Sequence, residues 1–216
     1  MASMPNNEPA NPARRALPLA ARLRKQTAIV SRWLHVYLSM ASFAIVLFFA
    51  VTGLTLNHAE WFASQQRSVQ HTGVMPQAWL GSGQNGADQL KIVERLRAAE
   101  KLHGAVSDFR VDDQQLTVSF KAPGYAADTF IDRTNGHYEL TITSNGFVAV
   151  LNDLHKGRDS GKVWGWMIDL SAILLTLVSL SGLLLLFFVY KRRLSGLILA
   201  LAGAVVCWLV WLRFVP

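Results

Sequence analysis

The sequence predicts an α-helical membrane protein with three transmembrane helices and a small extracytoplasmic α+β domain between the first two. Three observations carry that prediction. Apolar residues make up 51% of the 216-residue chain and gather into three long blocks. The segment between the first two blocks shows short-range helical and strand periodicity. Basic residues cluster before the first block and after the second.

Residues 1–30 read as a basic cytoplasmic tail, its first 13 residues rich enough in Pro and Asn to remain disordered. Residues 31–57 form the first expected transmembrane helix, and Trp33 to Leu56 holds no Asp, Glu, Lys or Arg. Residues 58–162 form the extracytoplasmic domain. Residues 163–190 form the second membrane helix, with one acid, Asp169, and residues 194–213 the third, uncharged from Leu194 to Leu212. At about 1.5 Å per residue, each block can cross a hydrocarbon core of roughly 30 Å. The first apolar block is far longer than the roughly 7–15 residues of a signal peptide. It ends Leu-Thr-Leu-Asn-His with no small-x-small cleavage pattern, so a retained anchor is expected. The single Cys207 lies in the third block and has no cysteine to pair with.

Charge sets the expected orientation. Arg14, Arg15, Arg22, Arg24, Lys25 and Arg32 precede the first block, and Lys191, Arg192 and Arg193 separate the second from the third. Residues 57–162 carry 11 Lys+Arg against 12 Asp+Glu, so the net charge of +7 is mostly a topology signal. The N-terminus is expected in the cytoplasm and the C-terminus outside, which in a bacterium means a multi-pass inner-membrane protein with a periplasmic domain. Lipid is the expected surrounding, and no nucleic-acid partner is expected.

Within the domain, Leu90, Val93, Leu96, Ala99 and Leu102 fall at helical spacing over residues 88–103. Strands are expected over Val106–Val111 and Leu116–Phe120. Two more, Thr129–Arg133 and His137–Thr143, flank Asn135-Gly136, a dipeptide favoured in tight hairpins. Residues 64–87, rich in Gln, Gly and Ser, read as an irregular lead-in. A helix followed by strands implies a sheet with a helix on one face.

Three stretches carry a family resemblance: "RWLHVYLSMASFAIVLFFAVTGLTLNHAEWF", "FIDRTNGHYEL" and "LNDLHKGRDSGKVWGW". The middle one resembles a PepSY domain, whose strands carry a similar Asp-x-x-x-Gly turn. Together they resemble the PepSY-associated transmembrane proteins, over roughly residues 30–190. The resemblance implies inner-membrane redox proteins, some linked to ferric siderophore reduction, with haem held by membrane histidines. This chain is shorter than the larger members and has fewer helices.

A b-type haem takes two axial imidazoles in an apolar slot. His58 closes the first expected helix and His155 precedes the second, which places both near the outer membrane face. They are the candidate iron ligands. An interfacial role for either histidine remains the alternative reading. His35 stands 23 residues before His58, about 34 Å along a helix, and is expected in an aromatic belt with Trp33 and Tyr37. His71, His103 and His137 are expected to be solvated. Asp169 lies six residues into the second block, where an unpaired carboxylate costs about 1–3 kcal/mol. It is read either as a near-interface acid or as an acceptor for a histidine N–H in a haem site. Gly53, Ser179, Ser181 and Gly182 are read as close-packing residues and Trp164 and Trp166 as interface anchors.

The chain has no Gly-rich dinucleotide fingerprint, P-loop, nucleophile elbow or paired-cysteine zinc spacing. That argues against a hydrolase or a self-sufficient NAD-linked reductase and leaves flavin open. The expected function is an electron-transfer subunit binding haem b and serving extracytoplasmic redox chemistry, with a redox partner or another membrane or periplasmic protein. The rival reading is a non-redox, membrane-anchored binding or regulatory module for a partner protein.

Overall fold

The structure is a computed structural model of the chain and describes residues 18–81, 86–189 and 192–216. Arg14, Arg15 and Lys191, on which part of the orientation argument rests, and the expected disordered residues 1–13 lie outside the described residues. The described helices are α1 (Leu19–Asn57), α2 (Gln89–Glu100), α3 (Gly146–Lys156), α4 (Gly161–Leu186) and α5 (Arg193–Phe214). The strands are β1 (Arg67–Val74), β2 (Ala105–Val111), β3 (Gln115–Ala122), β4 (Tyr125–Asp132) and β5 (His137–Ser144). Helices α1, α4 and α5 are long and apolar enough to cross a membrane. The chain divides into two units, Ser42–Leu175 and Met1–Ala41 with Thr176–Pro216.

In the unit Ser42–Leu175, the five strands form one antiparallel sheet in the order β1-β5-β4-β3-β2. Helix α2 starts at Asp88, whose carboxylate accepts the Lys91 backbone N–H at 3.2 Å, and stops at Lys101, which turns left-handed at φ 53°. It buries Ile92 and Leu96 completely against a core that includes Leu116, Val118, Phe120, Ala127, Ile131 and Leu140. Leu90, expected on that face, is 66% exposed. The helix begins at residue 89, and its docking face is the i, i+4 pair Ile92 and Leu96, with Val93 at the flank.

Strand β1 replaces the expected irregular lead-in. It pairs with β5 from Arg67↔Ser144 to Val74↔His137. As an edge strand it presents Val69, His71 and Gly73 on the side shared with Leu140 and Tyr138, so it lacks the apolar alternation that reveals a central strand. The hairpin joining β4 to β5 forms at the expected place, with a longer turn than the Asn-Gly pair implies. Gly136 donates its N–H to the Asp132 carbonyl at 2.8 Å with φ +75°. The Asp132 carboxylate accepts from the Thr134 hydroxyl, the Thr134 N–H and the Asn135 amide. The hydroxyl bond leads in holding the Asp132 carboxyl below its usual range.

Helix α3 occupies residues read from sequence as the approach to the membrane. It joins the sheet to α1. Asp153 accepts the Gly124 backbone N–H at 2.8 Å, while Thr55 of α1 donates its hydroxyl to Asn152 at 2.7 Å. Gly157 ends the helix in the left-handed region at φ 70°.

In the other unit, α1 begins directly after Pro18, whose carbonyl accepts the Ala21 and Arg22 N–H groups at 2.9 and 3.1 Å. The helix therefore starts twelve residues before the expected 31 and runs through the basic segment, where Ala20, Ala21, Leu23 and Ala28 favour it. Ser31 and Ser181 are buried in this unit. Helix α5 buries no residue, and a methyl group placed on its Gly196 would lie 2.6 Å from Leu186 Cδ1.

Candidate functional site: histidines held by hydroxyls

His155 stands in the last turn of α3, half-buried, where the helix meets α1. Its Nδ1 is 2.6 Å from Thr52 Oγ1, and its ring meets Phe49 edge-on at a centroid distance of 4.9 Å. Thr52 is 2% exposed. A methyl group placed on Gly53 would lie 3.7 Å from His155 Cε1, so the ring rests over a glycine. Among the described residues, Nε2 of His155 has no partner.

Beside this ring lies an apolar groove of about 200 Å³, lined by Phe48, Phe49, Trp164, Met167, Ile168 and Ser171 with Ala44 and Ile45. Trp164, read from sequence as an interface anchor, ties α4 to α3 by donating its indole N–H to the Leu154 carbonyl at 2.8 Å. Its ring also meets Phe48 edge-on at 6.5 Å.

His58 directly follows α1 and caps the 3-10 turn Ala59–Gln65. Its ring stacks on Trp61 at 4.1 Å, its Nδ1 is 3.4 Å from Glu60, and its side chain is 34% exposed. Among the described residues, His58 and His155 share neither a hydrogen bond nor a ring contact. Asp169 is exposed on α4 and makes no hydrogen bond or ion pair among them. The hydroxyl of Thr52, not the carboxylate of Asp169, meets the His155 ring. The reason is helical phase: α4 turns Trp164, Ile168 and Ser171 toward the groove, and Asp169 sits about 100° from Ile168.

His35, in the other unit, has the same kind of partner. Its Nδ1 is 2.9 Å from Ser181 Oγ, and a methyl group on Gly182 would lie 3.0 Å from its Cε1. Of the histidines expected to be solvated, His137 alone has no such side-chain engagement among the described residues. His71 Nδ1 is 2.7 Å from Glu100, and the His103 ring packs on Tyr125 at 3.6 Å.

The order of elements now bears on identity: an apolar helix, a five-stranded antiparallel sheet carrying one helix, a Leu-His helix end and two further apolar helices. A family model described as "Putative PepSY_TM-like" matches residues 29–216. The chain belongs to the PepSY_TM-like family. No curated protein and no solved structure matches the chain. This PepSY_TM-like protein is a multi-pass membrane protein with a PepSY-like domain, in keeping with the sequence resemblance.

Sequence reading of the PepSY_TM-like protein passed over Thr52 and took Ser181, with Gly53 and Gly182, only for close-packing residues. Thr52-Gly53 and Ser181-Gly182 are both hydroxyl–glycine pairs set in apolar helices. A polar residue beside a glycine in such a run is the available signal: it marks a place where a polar group from a neighbouring element can approach closely.

Proposed function

We propose that this PepSY_TM-like protein is an inner-membrane electron-transfer subunit that holds one haem b through His155 and His58 and serves extracytoplasmic redox chemistry linked to iron uptake. The observation that supports this reading most is the seat of His155. Its Nδ1 is engaged by a buried hydroxyl, its ring is braced by Phe49, and its Nε2 is left for a ligand. His58 also keeps Nε2 uncommitted among the described residues, because Glu60 faces the other nitrogen. When bound, haem supplies one-electron chemistry between ferrous and ferric iron.

The residues of this chain have separate tasks in that proposal. Thr52 and Phe49 orient the His155 ring, and Phe48, Trp164 and Met167 keep water from the adjoining groove. The groove of about 200 Å³ is smaller than a porphyrin, so this groove by itself does not enclose one. A membrane or periplasmic redox partner supplies the remaining wall. The test is an absorbance spectrum of the full-length protein expressed with ample haem. A low-spin spectrum lost in both His155→Ala and His58→Ala supports the assignment. A folded, colourless wild type refutes it.

A second reading has its own observation. The sheet face away from α2 carries Phe130, 44% exposed, beside a concavity of about 410 Å³ lined also by Gln115, His137 and Glu139. That surface suits a membrane-anchored binding or regulatory module for a partner protein. A colourless protein whose partner capture is abolished by Phe130→Asp would favour it.

A further inference from the structure

His155 and His35 are seated on the same dipeptide, a hydroxyl residue followed by glycine. Thr52 Oγ1 lies 2.6 Å from the Phe48 carbonyl of its own helix and 2.6 Å from His155 Nδ1. Ser181 Oγ lies 2.8 Å from the Val178 carbonyl of its own helix and 2.9 Å from His35 Nδ1. A hydroxyl has one proton to give and lone pairs to receive with. Two oxygens at these distances with no proton between them repel, so each hydroxyl donates to its helix carbonyl. The contact to the imidazole must then run the other way, with the ring donating. In a neutral imidazole only one nitrogen bears hydrogen, and the partner of that nitrogen decides which one.

We infer that Thr52 and Ser181 are positioning residues that select the Nδ1–H tautomer of His155 and of His35, so that both histidines present Nε2 as their free base. An unconstrained imidazole favours hydrogen on Nε2, so this selection reverses the ordinary preference. The glycine after Ser181 lets the ring come close: a methyl group on Gly182 would stand 3.0 Å from His35 Cε1 and 3.5 Å from its Nδ1, whereas one on Gly53 would meet His155 Cε1 at an ordinary 3.7 Å. The chemistry suited to both rings is a Lewis acid or an acidic hydrogen approaching Nε2. For His155 this deepens the haem proposal by naming the nitrogen that would ligate. For His35 it gives a base to a side chain that the sequence suggests is only interfacial.

The test is solid-state NMR of full-length protein carrying 15N-histidine, in lipid bilayers and without added haem, at about pH 9 where free histidine is neutral. Signals are assigned by subtraction, using His155→Asn and His35→Asn. The expected wild-type result is hydrogen on Nδ1 of both rings. Thr52→Val should move it to Nε2 of His155 alone, and Ser181→Ala to Nε2 of His35 alone. Thr52→Ser and Ser181→Thr should restore the original state. Hydrogen on Nε2 of either wild-type ring overturns the inference for that ring, even if a variant fails to fold. A variant that folds and keeps hydrogen on Nδ1 overturns it too. Wild-type protein that shows these tautomers yet binds no haem refutes the haem proposal alone.

Discussion

Tyr138 donates its hydroxyl to Glu100 at 2.6 Å, and the second oxygen of the same carboxylate is 2.7 Å from His71 Nδ1. One carboxylate at the end of α2 thus ties the helix to β5 and to the edge strand β1. The Glu100 side chain is only 13% exposed, which shelters its bond to Tyr138, while His71 stays 42% exposed.

The electrostatics of this group fix the sign of a pH effect. The Tyr138 hydroxyl, ahead of His71, holds the Glu100 carboxyl below its usual range. Its contribution is therefore present above the ordinary glutamate range and is lost as pH falls through the lowered value. Burial first, and the Glu100 carboxylate second, push Tyr138 up to about 12. That contribution is full below the ordinary tyrosine range and is lost as pH rises toward about 12. Tyr138→Phe should lower domain stability by about 1–3 kcal/mol at neutral pH and weaken its dependence on pH at both ends. Denaturant unfolding of the full-length protein across pH, followed by circular dichroism, measures both effects. Unchanged pH dependence would count against this account.

Helix α2 offers a test of which face is inside. Leu96 is fully buried and Leu90 is 66% exposed. Leu96→Asp places an unpaired carboxylate in the core and should cost about 4 kcal/mol or more. Leu90→Asp should stay within about 0.5 kcal/mol of wild type. Limited proteolysis reads the difference, and equal sensitivity of the two variants would mean the helix docks by another face.

Two glycines of α4 should respond differently to the same added methyl group. At Gly182 it would meet His35 Cε1 at 3.0 Å, whereas at Gly165 nothing lies within 4 Å. Gly182→Ala should lower the thermal midpoint and disturb the His35–Ser181 contact, at a cost of about 1–3 kcal/mol. Gly165→Ala should keep or raise the midpoint, because alanine is the better helix former and has room there. Thermal melts of the two variants in detergent provide the comparison, and matching melting curves would contradict it.

Orientation can be read with one introduced thiol. Asp113 is exposed at the turn between β2 and β3. In a Cys207→Ser background, Asp113→Cys should react with a membrane-impermeant maleimide in intact spheroplasts. Labelling only after lysis would reverse the expected topology.

The parts of this fold that show in sequence are those with redundant apolar signals. Helices α4 and α5 and strands β2 to β5 each carry several such residues in register, so a single polar residue does not hide them. Strand β1 has only two valines and an edge position. Helix α3 is short and docks through polar residues, with Asn152, Asp153 and His155 each bonded to a different neighbour. The histidines themselves stand out in apolar sequence, but their partners do not. Thr52 and Ser181 are ordinary small residues until tertiary structure brings an imidazole against them. Asp169 is the opposite case: a conspicuous charge that the helical phase turns away from His155.

Helix α3 grips β-sheet and membrane helix within four consecutive positions. Asp153 holds the Gly124 turn, while Asn152 and His155 are held by Thr55 and Thr52 of α1. A bound carboxylate–amide contact on one side and two hydroxyl contacts on the other leave little slack between them. The sheet is thus a lever arm and α3 its fulcrum: a load that tilts the Gly124 turn enters at Asp153, two residues before the imidazole of His155.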